Sequence, residues 1–309
     1  MLTSVLYYLI FPGLLFAAVA GGLLSWFDRK VTAMVQFRKG PPILQPFYDF
    51  LKLLLVKETI LPAKGSAVTF VLMPVVALIG ATLACVYILM PALNLTEGFN
   101  GDIIVIFYLL NIPPLAFIIG AMASGNPLAS IGASREIKLI ISYELTFLLI
   151  LAAVILKSGM SISLSDIIAK QSSHTFAGSF SGALLFIAAL FCIQAKLGLV
   201  PFDIAEAETE INHGSFIEYS GSTYALVILT RYIMLFTLPA FLSIVLLGGL
   251  HFKGIQILYS LLKILGIVLL LTLIRNTNPR LKIDQAMRFF FVWMNLVAVA
   301  AIALTLSGW

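Results

Sequence analysis

Five carboxylates, Asp203, Glu206, Glu208, Glu210 and Glu218, crowd into the stretch "KLGLVPFDIAEAETEINHGSFIEYSGS" (196–222) of a chain that has 14 acidic residues in all. If a helix restarts after Pro201, Asp203, Glu206 and Glu210 share one stripe at i, i+3 and i+7, and Glu208 points elsewhere. Carboxylates that close cannot all ionise easily, so some should hold protons and titrate together. Such groups at the edge of an apolar medium suit proton uptake. The plainer alternative is a solvated acidic loop or a docking face for a basic partner.

Three further charges stand inside apolar runs. Glu144 lies in "EIKLIISYELTFLLILAAVIL", six residues past Lys138 and so about 9 Å inside its helix. Lys263 is near the midpoint of "IQILYSLLKILGIVLLLTL", and Arg231 is about two turns into its own run. A charge at the centre of a membrane helix costs about 2.5–3.5 kcal/mol on insertion scales, so each should pair or line a wet pathway. One possibility is a static pair of Glu144 with Arg231 or Lys263. The other is a proton path in which Arg231 is the poorest carrier, because a guanidinium keeps its proton.

The elements that position these groups follow from the solvent. Apolar residues make up 61% of 309 positions and charged residues 11%, and mean hydropathy is +1.07, a composition suited to lipid. Eight apolar runs, near 4–27, 67–90, 102–122, 137–156, 181–200, 223–247, 255–274 and 288–307, reach the roughly 20 residues that cross a bilayer. They lack strand alternation, so the expected fold is all-α: a polytopic membrane protein of about eight transmembrane helices, one transmembrane domain over 1–309. No internal repeat supports an inverted-repeat transporter. The N-terminal run lacks a positive start and is followed by "FDRK", which favours an uncleaved span over a signal peptide.

Of the 19 basic residues, 14 fall in the odd loops or at their edges, Lys138, Lys196 and Arg288 included, against Lys157, Lys170 and Lys253 in the even ones. That bias puts the odd loops, and the carboxylate stretch, on the cytoplasmic face and both termini outside. The net charge of +5 is thus a topology signal, and nucleic acid is not an expected partner. "QPFYDFLKLLLVKE" carries Phe47, Phe50, Leu51, Leu54 and Leu55 at helical spacing, interrupted by Asp49, Lys52 and Glu58. It is too short to span and should lie along the interface or under a docked partner. Trp26, Trp293 and Trp309 fall at span ends, as an aromatic belt would place them. Cys85 and Cys192 are far apart, and His174, His213 and His251 are scattered. No metal or cofactor is therefore expected in this chain, and neighbours would carry any electrons.

Three segments resemble the membrane subunit that forms the quinone-chamber floor of respiratory complex I and its relatives in membrane-bound [NiFe] hydrogenases. They are "FDRKVTAMVQFRKGPPILQPFYDFLKLLLVKE", "PFDIAEAETEINHGSFIEYSG" and "NPRLKIDQAMRFF", joined by "SYE" at 142–144. "GASRE", "AEAE" and "EYSGS" look more like the hydrogenase branch, and Asp28 stands where the family has its first acid. The resemblance implies a non-catalytic membrane anchor in a prokaryotic plasma membrane. Its cytoplasmic loops, 28–66, 123–136, 201–222 and 275–287, would cradle a large hydrogenase-like subunit and an iron–sulfur subunit. Antiporter-like and small membrane subunits would lie alongside. The [NiFe] centre and iron–sulfur clusters would reside in those partners. Asp203, Glu206, Glu208, Glu210 and Glu218 correspond to the family's acidic loop, and Glu144 to the start of its lateral proton path with Glu136 at the cytoplasmic end. Arg29, Arg38, Asp49, Arg280 and Asp284 look like residues holding the redox arm. A quinone- or sulfur-reducing complex of the same family is one alternative, and a stand-alone cation or proton transporter another.

Overall fold

The computed structural model describes residues 2–93, 95, 101–171, 174–252 and 254–307, with the backbone alone at 2–5, 208 and 209. Every regular element among them is helical. In chain order they are α1 (Leu2–Leu9), α2 (Leu14–Val35), α3 (Gln45–Leu55), α4 (Ala67–Ala92), α5 (Asp102–Ala123), α6 (Pro127–Lys157), α7 (Leu164–Lys170), α8 (Phe180–Lys196), α9 (Glu208–Ile211), α10 (Gly221–Leu246), α11 (Gln256–Thr277), α12 (Ile283–Arg288) and α13 (Asn295–Leu306). A π-helical stretch, Phe289–Met294, joins α12 to α13. Seven helices are long and apolar enough to cross a membrane, and the 17-residue α8 is a shorter eighth. All eight expected spans are present.

Their ends differ from the hydropathy limits, for a local reason. The span expected near 137 starts at Pro127. The Asn126 side chain accepts the Leu128 N–H at 2.9 Å, and Pro127 supplies a first-turn φ with no N–H to satisfy. The loop expected over 123–136 therefore shrinks to 124–126, and Glu136 and Lys138 are helical. At 31 residues, α6 is about 46 Å long, more than the roughly 30 Å of hydrocarbon. The first run likewise continues to Val35, so Asp28, Arg29 and Lys30 belong to α2 rather than to a loop. Pro12 separates α1 from α2.

Around α10, the most buried span, the bundle closes through small residues. A Cβ on Gly21 of α2 would lie 1.9 Å from the Tyr232 carbonyl of α10, so only glycine lets these two backbones approach as they do. α4 pairs with α5, α13 packs on α6 and α8, and α11 flanks α2. Leu258, Leu261 and Leu262 on α11 and Leu296 and Val299 on α13 remain exposed, as lipid-facing residues do. The short α3 lies against α2 and α10, with Leu51, Leu54 and Leu55 exposed. Trp26 donates to the Pro41 carbonyl at 3.1 Å and Trp293 is exposed; Trp309 lies outside the described residues.

Candidate functional site

The carboxylate stretch is not one helix. A single 3-10 turn spans Ile204–Glu206, Ala207 is extended at ψ 100°, and α9 has only 4 residues. Asn212 and His213 then take left-handed φ of 52° and 71°, with Gly214 at 47°. The expected stripe of Asp203, Glu206 and Glu210 is thereby dismantled, and each carboxylate finds its own donor. Asp203 pairs with Arg280 and Glu206 with Arg231. Glu210 pairs with Arg135 at 2.7 Å, and Glu218 accepts from the Asn126 side chain at 2.6 Å. Three separate arginines and one side-chain amide take the place of a shared proton. The Glu208 side chain lies outside the described residues.

Beside Asp203 and Glu206 a cavity of about 470 Å³ opens between α2, α10, α11 and the 197–213 segment. Charges on its wall come in pairs. Arg275 binds Asp28 at 2.7 Å, and the Thr272 hydroxyl donates to the other Asp28 oxygen at 2.8 Å. Arg29 binds Asp49 at 2.8 Å across to α3. Arg231–Glu206 and Arg280–Asp203 complete the ring. Asp203 Oδ1 is buried with no protein partner, and such an atom asks for water.

Glu206, Arg231, Leu197 and Gly198 also line a second, small cavity of about 40 Å³, with Glu136, Lys196, Ser215, Pro113 and Pro114 on its other walls. That volume admits a few waters, and its polar lining can hold them. Ser215 Oγ is buried there without a protein partner. Two adjacent prolines inside α5, Pro113 and Pro114, remove helix N–H groups at this depth. Arg231 sits over the Phe216 ring, 4.5 Å from its centroid, and acts electrostatically on both Glu206 and Glu136.

Lys196, read from sequence as a loop residue, is the last residue of α8 and is buried. Its ammonium donates to Asn111 Oδ1 of α5 and lies 5.0, 5.5 and 5.8 Å from the ring centroids of Phe147, Tyr143 and Phe107. It also interacts with Glu144. Glu144 and Asn111 line a third cavity, a largely apolar lateral groove of about 570 Å³ between α5 and α6. Three of the candidate residues, Glu206, Arg231 and Glu136, thus share a cavity wall that leads, through the charge of Lys196, toward Glu144. Lys196 and Asn111, which sequence reasoning missed, complete that route. The available signals were a lysine closing an apolar run and an asparagine beside a Pro-Pro pair.

The remaining candidates lie apart. Lys263 is two turns into α11 and donates to the Gly249 carbonyl at 3.1 Å, beside the loop at the opposite end of α10. No Glu144 pair with Arg231 or Lys263 forms, since Arg231 is held by Glu206. Arg38 is exposed and donates to Gln36 at 2.9 Å. Asp284 lines a cleft of about 250 Å³ with Arg135, Glu210, Arg280 and Lys282. Among the described residues, no three His, Cys, Asp or Glu side chains gather as metal ligands.

Residues 7–306 match the family described as NADH dehydrogenase. The chain is 32% identical to the NADH-quinone oxidoreductase H subunit of Geobacillus kaustophilus (strain HTA426), over 94% of this chain and 89% of that one. It is 33% identical to the H subunit of the same enzyme in Brevibacillus brevis (strain 47), over 99% and 93%. A chain in the structure of the membrane-bound sulfane sulfur reductase, an archaeal respiratory membrane complex, superposes with a TM-score of 0.86 at 28% identity, covering 94% of this chain and 96% of its own. By sequence and by fold alike, the chain belongs to the NADH dehydrogenase family and is a membrane subunit of a complex I-like oxidoreductase.

Proposed function

We propose that this subunit anchors a peripheral redox arm on its polar face and passes the consequences of electron transfer sideways, as protons or displaced charge, through buried carboxylates. One observation carries the reading: ionisable groups line successive cavities from the ring of ion pairs to Glu206–Arg231, then Glu136, Lys196 and finally Glu144 on the lateral groove. The polar loops would face the cytoplasm of a prokaryotic cell, with both termini outside. Arg29, Arg38, Asp49, Arg280 and Asp284 would hold the arm. That arm would consist of a large hydrogenase-like subunit and an iron–sulfur subunit carrying the [NiFe] centre and clusters, with antiporter-like and small membrane subunits against the Glu144 side.

The hydrogenase assignment rests on the "GASRE", "AEAE" and "EYSGS" segments. A sulfur-reducing complex is the second reading, favoured by the superposition on the sulfane sulfur reductase chain. Quinone is named for the NADH-quinone oxidoreductase relatives. The large cavity here carries four arginines and three carboxylates on its wall, which suits water and charge better than an apolar ring system. Replacing Glu144 by Gln in the assembled complex tests the core of the proposal. Loss of ion transport coupled to redox turnover is expected, and unchanged transport removes Glu144 from the path. Ion transport by the purified single chain in liposomes would instead favour a stand-alone transporter.

A further inference from the structure

Glu136 and Glu144 stand on the same helix eight residues apart, about 12 Å along its axis. That separation is several times a hydrogen bond, so a proton cannot pass directly between them. Lys196 enters from α8 between the two regions. It lines the small cavity together with Glu136, its nitrogen is held by Asn111, and Asn111 lines the lateral groove with Glu144. An ammonium has three donors, and Asn111 is its one hydrogen-bonding side chain among the described residues. The rest of its surroundings are the faces of Phe107, Tyr143 and Phe147, which favour a cation without locking it into a salt bridge. Arg231, the other base on this route, is committed to Glu206 and keeps its proton. A buried lysine, by contrast, can release its own.

We propose that Lys196 is the proton carrier between Glu136 and Glu144, an inference that rests on the coupling path proposed above. The cycle conserves protons and moves no electrons. The Lys196 ammonium gives a proton to the Glu144 carboxylate and becomes an amine. That amine takes a proton from the Glu136 carboxyl group through water in the small cavity, which restores the ammonium and leaves Glu136 ionised. Glu144 then releases its proton toward the lateral groove, and Glu136 takes its next proton from the Glu206 side through water in the small cavity they share, which closes the cycle.

The test uses the intact complex in proteoliposomes, with ions moved per electron as the readout. Lys196→Met keeps a slender apolar stem, and Lys196→Arg keeps the charge and the ring contacts but cannot give up a proton. Both should lower coupled transport by about 10²-fold or more, the usual size for a lost proton-transfer group. Transport retained by Lys196→Arg, with Glu144→Gln inactive, would make the lysine a structural cation and overturn the inference while leaving the carboxylate path standing. Transport retained by Glu144→Gln defeats the path itself. If neither lysine variant assembles, infrared difference spectra of the unaltered complex, with isotope-labelled lysine, decide the matter. A lysine signal that changes protonation during turnover is expected, and a constant one overturns the role.

Discussion

The seat of the carboxylate turn on α6 depends on Gly132, and adding one methyl group there tests the whole arrangement. A Cβ at this position would lie 2.5 Å from the Ser215 nitrogen, 2.9 Å from the Gly214 carbonyl carbon and 3.0 Å from the Ala205 carbonyl oxygen. All three are backbone atoms, so no side chain can swing away. Ordinary contact needs about 3.5 Å, which means the turn must retreat by roughly 0.5–1 Å. Overpacking of this kind costs about 1–3 kcal/mol, offset by the roughly 0.5–1 kcal/mol that Ala gains over Gly in a helix. Gly266 in α11 is the control, because a Cβ there meets nothing within 4 Å. Gly132→Ala should therefore be about 1–3 kcal/mol less stable than Gly266→Ala in denaturant unfolding of the solubilised complex. The retreat also moves Ser215, which lines the small cavity, and Ala205, the neighbour of the cavity-lining Glu206. Because misplacement by about 1 Å can cost on the order of 10²-fold, coupled transport should fall far more than stability. Equal stability and equal transport in the two variants would show that the turn does not rest on α6.

Glu206→Gln leaves Arg231 without its carboxylate; with side-chain exposures of 35% for Arg231 and 24% for Glu206, the loss should fall below the 3–5 kcal/mol of a fully buried pair, at about 1–3 kcal/mol. A double-mutant cycle with Arg231→Met should be less than additive, and strict additivity counts against the pair. Tyr219 stacks on Phe70 at 4.2 Å and its hydroxyl reaches the Phe70 carbonyl at only 3.4 Å, so Tyr219→Phe should cost under about 1 kcal/mol. Burial pushes the Tyr219 hydroxyl pKa up. Its share of stability is full below the ordinary tyrosine value of about 10 and is lost as pH rises through the higher folded value. Unfolding curves of Tyr219→Phe should lack that alkaline loss, and identical curves refute the assignment. Orientation is tested with His213→Cys and His174→Cys, both exposed positions, over a background of two buried native cysteines. An impermeant thiol reagent should reach position 213 only from the cytoplasmic side and position 174 only from outside, and the reverse pattern inverts the topology.

What the sequence disclosed and what it withheld divide along physical lines. Eight spans were legible because lipid tolerates little besides apolar helix. Hydropathy hides the start of α6 because it ignores caps, although Asn126-Pro127 carries the signal. The i, i+3, i+7 stripe fails because the extended Ala207 breaks the helix between Glu206 and Glu210, and no apolar period betrays that break. Lys196 escapes for a different reason. Counting basic residues treats a lysine at the end of a span as solvated, whereas its direction depends on Asn111, Phe107 and Phe147 from two other helices. Lys263 looks central when the run stops at its last apolar residues, but the helix continues to Thr277 and leaves it about a third of the way along.

Paired charges are stable where they are, and on that ground alone a ring of balanced ion pairs argues against proton movement. The opposite follows once Arg231 is considered with both of its carboxylates. It is bound to Glu206 and interacts with Glu136, which lines the same small cavity. When Glu206 takes a proton, Arg231 loses its near partner, and two unit charges about 4 Å apart at intermediate dielectric are worth about 4 kcal/mol. The guanidinium keeps its charge, and its remaining carboxylate neighbour on the small cavity is Glu136. On the proposed path, a proton arriving at Glu206 would promote the departure of one from Glu136, without any proton crossing the arginine. Charge balance would make the ring responsive in this way, because a single added proton leaves one cation unpaired beside a cavity that Glu136 also lines.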